Sequence, residues 1–234
     1  MTNLNADALR VPVTDVDAAE AFYTGVFGAS VTNGAVRRIG LHGKGAIELV
    51  RSDVPLTSGF GRIVVTYVLD QPSEVRTLMD AAVGRGAQIL KPAKKALFGS
   101  FSGSLISPEG LIWKFAADKG KDSAQPAVEP RPTEVTMILG VGEPKDSRDF
   151  YTDLGMRVDR DYGSKYIDFH PGPGAARLCL MQSAVLAKDV GIADSSVPPQ
   201  VVFVHRGEGN DHAPQEGHST VVDPDGFQWI TATD

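Results

Sequence analysis

Two short patterns recur in the same order along this chain, and that recurrence restricts the fold more than any other feature. AEAFYTGVFGASV begins at Ala19 and SRDFYTDLGMRV at Ser147, while SPEGLIWKF begins at Ser107 and DPDGFQWIT at Asp223. The first pattern of each pair has helical spacing; the second is a tight turn that launches a short apolar strand. In Asp223-Pro224-Asp225-Gly226 the proline fixes φ at the second turn position and the glycine relaxes the exit. The chain therefore reads as an approximate tandem repeat whose second copy is shorter between helix and turn. Its 234 residues accommodate two domains of about 100–120 residues each. Between the copies, DKGKDSAQPAVEPRPTE runs from Asp118 to Glu134, polar, proline-bearing and without periodicity. That is the composition of a linker. The expected organisation is a first domain over 1–118, a linker over 119–133 and a second domain over 134–234.

Within each copy a smaller unit repeats. Leu9, Val11 and Val13 alternate with Ala8, Arg10, Pro12 and Thr14, a period-two strand. Asp15 can cap a helix running to about Phe27, with Gly28 as its terminator. The strand candidates VRRIGL and AIELVR follow, separated by the turn at Gly43 to Gly45. A second unit starts at GRIVVTYVLD and passes into a helix opened by Pro72 that closes near Gly84 and Gly86. Val75, Leu78, Met79 and Ala82 fall on one face of that helix, and further strands lead to the SPEG turn. The second copy gives the strand EVTMILGV, a helix from Pro144 to Leu154 ended by Gly155, and strands around KYIDFH and ARLCLMQ. After QVVFVH, where a helix is due, the chain runs RGEGNDHAPQEGHS, a loop by its glycines, Asp, Asn and Pro.

Composition narrows the function. A formal net charge of -6 leaves no basic excess to neutralise phosphates, so neither a nucleic acid nor an anionic membrane is expected as a partner. MTNLNADALR has no basic and apolar leader, and no apolar run approaches the roughly 20 residues of a spanning helix. The single cysteine, Cys179, excludes an internal disulfide and any CxxC metal site and fits a reducing cytoplasm. Its simplest role is that of a small buried apolar group.

Taken together, VTDVDAAEAFYTGVFG, SRDFYTDLGM, AIELV, SPEGLIWKF and DPDGFQWIT resemble the vicinal oxygen chelate superfamily, which unites glyoxalases, bleomycin-resistance proteins and ring-cleaving dioxygenases. The resemblance covers almost the whole chain. It implies an α+β fold of two tandem domains of paired βαβββ modules, each an open, cup-shaped mixed sheet with helices outside. In metal-using relatives a His or Gln on the first strand, a Glu in the IEL-like strand, a His opening the second module and a Glu after the turn hold a divalent ion. Here the matching positions of the first domain are Ala8, Glu48, Val64 or Arg62, and Lys114; those of the second are Thr136, Cys179, Gln200 or Val201, and Ile230. One carboxylate among them does not make a metal site, so no metal and no cofactor are expected.

The resemblance then implies metal-independent binding of a small organic molecule, a drug or metabolite sequestered as in the bleomycin-resistance branch, by a monomer or homodimer. Antibiotic self-protection is the context suggested by analogy. Glu48 and Lys114 are expected to form an ion pair in the first cup. Phe101, Tyr166 and Phe203 are expected to supply aromatic lining, and Trp113 and Trp229 to face the helices. The rival is a glyoxalase-like lyase, an isomerase or a ring-cleaving dioxygenase, with Glu48 as general base and Lys114 as its electrostatic partner. His205, Glu208, Asp211, His212, Glu216 and His218 are rich in possible ligands, but their spacing matches no recognised metal site. His170, in FHPGPG, reads as a turn residue beside a cavity mouth.

Overall fold

The protein is described from a computed structural model over residues 4–34, 36–56, 59–95, 100–195, 197–207 and 219–231. Four modules follow one another. The first holds β1 (Ala8–Val13), α1 (Val16–Phe27), β2 (Ser30–Asn33), β3 (Arg37–Gly40) and β4 (Ala46–Arg51). The second holds β5 (Ile63–Leu69), α2 (Pro72–Val83), β6 (Gln88–Lys95), β7 (Phe101–Ile106) and β8 (Ile112–Ala117). The third holds β9 (Glu134–Val141), α3 (Pro144–Asp153), β10 (Val158–Asp161), β11 (Ile167–Phe169) and β12 (Arg177–Gln182), and α4 (Ser183–Val190) follows it. The fourth holds β13 (Val202–His205), β14 (Ser219–Val222) and β15 (Gln228–Thr231).

Local chemistry accounts for the helices. Asp15 accepts the backbone N–H groups of Asp17 and Ala18 at 3.1 and 3.0 Å and so starts α1, and Gly28, at φ 57°, ends it. Ala19, Phe22, Tyr23, Val26 and Phe27 form its buried stripe. Pro72 and Pro144 open α2 and α3, where the missing N–H costs nothing. The helix α4, absent from the sequence expectation, buries Leu186, Ala187 and Val190 and stops at Gly191, at φ 83°.

The strands assemble into two open mixed sheets, ordered β14-β15-β13-β1-β4-β3-β2 and β10-β11-β12-β9-β5-β8-β7-β6. Modules do not pair in chain order. Antiparallel pairing of β1 with β13 joins the first module to the fourth, and pairing of β5 with β9 joins the second to the third. Each sheet thus draws strands from both sides of segment 119–133. One apolar core spans the outer faces of both sheets and takes in α1, α2 and α3, with Phe22, Val75 and Tyr151 as examples. Trp113 and Trp229 are fully buried in it, on the face that alternation assigned to them.

The two repeated motifs meet within each half. Tyr23 of α1 donates a hydrogen bond to Glu109 in the SPEG turn, and Tyr151 of α3 donates one to Asp223 in the DPDG turn. Gly110 and Gly226 close those turns with bonds of 2.9 and 3.1 Å back to Ser107 and Asp223. Their φ values of 100° and 90° suit glycine. Among the described residues no helix is long and apolar enough to cross a membrane.

Candidate functional site

Alternation along β1 and β4 sends Leu9, Val11, Ile47 and Leu49 to the core and turns Ala8, Arg10, Ala46 and Glu48 to the inner face of the seven-stranded sheet. Glu48 is wholly buried there. Arg10 stands opposite it on β1 and Arg38 on β3. Arg206, one residue beyond β13, closes the ring. Arg10 donates to Glu48 Oε2 from Nε at 3.2 Å and from Nη2 at 2.9 Å. Glu48 Oε1 accepts from Arg38 Nη1 at 3.1 Å and from Arg206 Nη2. Asp7 braces the ring: its Oδ2 accepts the Arg206 backbone N–H at 2.7 Å and its carbonyl accepts Arg38 Nη2 at 3.3 Å.

A buried lone carboxylate would lose several kcal/mol of hydration, roughly, and would favour its neutral form. Burial does push Glu48 up, but hydrogen bonds and charge from Arg206 and Arg10 outweigh it and hold the carboxyl below its ordinary value. Arg38 is lowered, by burial first and the nearby Arg206 charge second. The cluster is therefore an ionised carboxylate inside a crowded guanidinium ring.

The inner face of the eight-stranded sheet is occupied by the chain itself. Leu186, Ala187 and Val190 of α4 pack onto Val64, Ile112, Ile138 and Cys179. The end of α4 is fastened by Lys91, whose Nζ donates at 2.6 Å to the carbonyls of Lys188 and Asp189, and by Ser104, which donates at 2.6 Å to that of Val190. Lys114 pairs with Asp189 at 2.6 Å. Further along, Arg177 meets Glu134 and Asp159, each at 2.6 Å, and Arg160 meets Asp168 at 2.6 Å.

The expected Glu48–Lys114 pair does not form. The two residues sit in different sheets with different partners, because the first module joins the fourth and not the second. Phe101 and Phe203 face the outer core and not a cup: Arg76 lies 4.6 Å over the Phe101 ring, and Phe203 stacks on Trp229 at 4.4 Å. Their registers are one residue away from the inward set. Tyr166 does lie on an inner face, with its hydroxyl donating to Cys179 Sγ at 3.0 Å beside the α4 cluster. His205 is buried, and its Nδ1 accepts the Asn5 backbone N–H at 3.1 Å. Glu208, Asp211, His212, Glu216 and His218 lie outside the described residues. His170 is exposed, 3.5 Å from Asp159.

A divalent ion does not fit the positions where such folds hold one. In the seven-stranded sheet Ala8, Val204 and Ile230 align across β1, β13 and β15 beside Glu48's strand and offer no donor atoms. Both oxygens of Glu48 are engaged by cations that repel another. The inner face of the eight-stranded sheet presents Val64, Lys114, Thr136 and Cys179 at its matching positions. Burial pushes the Cys179 thiol up to about 12, far from the thiolate that binds metal. Among the described residues no three His, Cys, Asp or Glu are grouped to hold a metal ion.

A separate groove of about 790 Å³ runs beside the SPEG turn, past Pro12, Phe22, Leu56 and Gln88. Both of its carboxylates are already engaged, Asp15 by the backbone N–H groups that start α1 and Glu109 by Tyr23 and Ser107.

No family model matches the sequence, and no curated protein does. Solved structures do. Glyoxalase I from Zea mays superposes with a TM-score of 0.64 at 16% identity, over 97% of this chain and 91% of that one. A Bacillus subtilis protein provisionally named a dioxygenase superposes with a TM-score of 0.62 at 11% identity, over 100% of this chain and 86% of that one. At such identities the likeness is one of fold.

Proposed function

The chain has the fold of the vicinal oxygen chelate superfamily, and on that premise we propose that it binds a small organic molecule on the inner face of the seven-stranded sheet without a metal ion. One observation carries this reading: the carboxylate that such folds can offer to a metal, Glu48, is enclosed by Arg10, Arg38 and Arg206. A cluster of this kind orients a ligand's polar groups; it does not coordinate a cation. The choice of sheet follows from α4, which fills the other inner face with apolar side chains. Sequestration of a drug or metabolite is the role this reading assigns.

The lyase or isomerase alternative needs a group that takes up a proton near neutral pH. Glu48, held below the ordinary carboxylate range, has little affinity for one. Lys114, its expected electrostatic partner, is paired with Asp189 in the other sheet.

Metal analysis of protein purified without chelators, combined with thermal-shift measurements against a panel of small organic molecules, tests the proposal. A ligand raises the melting temperature by mass action, and chelator treatment is expected to leave that rise unchanged. A stoichiometric transition metal whose removal abolishes ligand binding would sink the reading.

A further inference from the structure

The two inner faces differ in how their cations are met. On the eight-stranded sheet, Lys114, Arg160 and Arg177 are met by Asp189, Asp168, Glu134 and Asp159, and Lys91 by the carbonyls of Lys188 and Asp189, so each cation has its own acceptors. On the seven-stranded sheet, three guanidiniums share Glu48, with Asp7 the remaining carboxylate beside them. Among the described residues the first set is matched cation by cation, whereas in the second Arg10 and Arg38 share the single carboxylate of Glu48.

The spare positive charge is accessible. The Arg10 and Arg38 side chains retain 21% and 26% of their exposure, whereas Glu48 retains 0%. A guanidinium has five N–H donors. Glu48 takes two from Arg10 and one from Arg38, whose Nη2 also reaches the Asp7 carbonyl. Donors therefore remain on both, beside a carboxylate whose two oxygens already accept four bonds. The closeness of Arg206 to Arg38 adds like-charge crowding that an incoming anion relieves.

We propose that this inner face is an oxyanion site, in which Arg10 and Arg38 hold the carboxylate or phosphate of a small organic anion and Glu48 keeps the guanidiniums splayed and in register. The inference rests on the small-molecule reading above and names the ligand's chemical class. Planar, forked donors suit both oxyanions, and the test separates them.

The full-length protein is titrated calorimetrically at low ionic strength with benzoate, succinate, inorganic phosphate and phenyl phosphate, and with benzamide as the uncharged control. At least one anion is expected to bind, benzamide at least about tenfold more weakly, and added chloride salt to weaken the anion. Benzoate and succinate binding without the phosphates assigns the site to carboxylates; the reverse assigns it to phosphates. Arg10→Gln and Arg38→Gln are each expected to cost about tenfold or more in anion affinity. Glu48→Gln, by removing the competing negative charge, is expected to raise it. Should a variant fail to fold, the salt dependence and the benzamide comparison on the unmodified protein still decide. Equal binding of benzamide and benzoate overturns the oxyanion assignment but leaves the small-molecule reading standing. Binding of no anion overturns the assignment too, and a panel without any ligand overturns both.

Discussion

The Tyr151 hydroxyl donates a 2.7 Å hydrogen bond to Asp223 Oδ2, tying the helix of one module to the turn of the next. The same hydroxyl accepts Trp229 Nε1 at 3.2 Å. In the first half Tyr23 makes the corresponding bond to Glu109, which also accepts Ser107 Oγ at 2.6 Å. Tyr151→Phe would orphan both Asp223 Oδ2 and Trp229 Nε1 in the core, at about 1–3 kcal/mol for each group. Tyr23→Phe leaves Glu109 one donor and is expected to cost less. Urea denaturation of the two variants checks the order.

The same carboxylates give stability a pH dependence. Burial raises Glu109 above its ordinary 4.5 and Asp223 above its ordinary 3.8, despite hydrogen bonds that pull the other way. The folded state then binds these protons more tightly than the unfolded state. Their contribution is fully present below the unfolded pKa and is lost as pH rises through the folded pKa. Glu109→Gln, which fixes the neutral form, is expected to flatten the decline in unfolding free energy above pH 4.5. An unchanged slope would refute that assignment.

Glu48 acts in the opposite sense. Its folded pKa is depressed, so its contribution is present above the unfolded value of 4.5 and is lost as pH falls through the folded pKa. Glu48→Ala leaves Arg10, Arg38 and Arg206 facing one another without their shared counter-ion, and is expected to destabilise the protein by about 3–5 kcal/mol. Denaturation midpoints at neutral pH provide the measurement.

Cys179 reports on α4. The thiol is fully buried and is pushed up to about 12 by burial, so a disulfide reagent reaches it only when the covering elements open. Leu186→Ala removes apolar contact beneath the helix and is expected to speed labelling by at least about thirtyfold, the equivalent of ~2 kcal/mol. Lys114→Met breaks the half-exposed pair with Asp189 and is expected to change the rate by less than about fivefold. Equal acceleration by both would show that the ion pair, not the apolar face, docks the helix.

Most of the element order was legible in local chemistry. Asp15, Gly28, Pro72 and Gly155 mark helix ends whatever else the chain does, and the Tyr of each FYT segment and the acid of each following turn mark two contacts repeated. The pairing of modules was not legible. Strands β1 and β5 have the same alternation and present equivalent inner faces, so nothing local specifies that β1 meets β13 and β5 meets β9. The Glu48–Lys114 expectation failed on that point alone. Arg10 carried a usable signal, since a charged residue shares the inward register of Ala8 beside an otherwise apolar strand. Arg206 carried none, because its place depends on the long-range pairing. The helix α4 was readable from Leu186, Val190 and Gly191, but a module of βαβββ form has no slot for it.

Because each sheet is a composite of the two halves, the chain has the layout that two separate half-length subunits would produce by exchanging modules across a dimer axis. In such an assembly of identical subunits, symmetry would force both hollows to carry the same lining. Covalent continuity through 119–133 lifts that restriction. One hollow holds α4 against Val64 and Ile112, and the other holds Arg10 against Glu48. A single continuous chain can in this way line its two hollows differently, one with apolar side chains and one with guanidiniums.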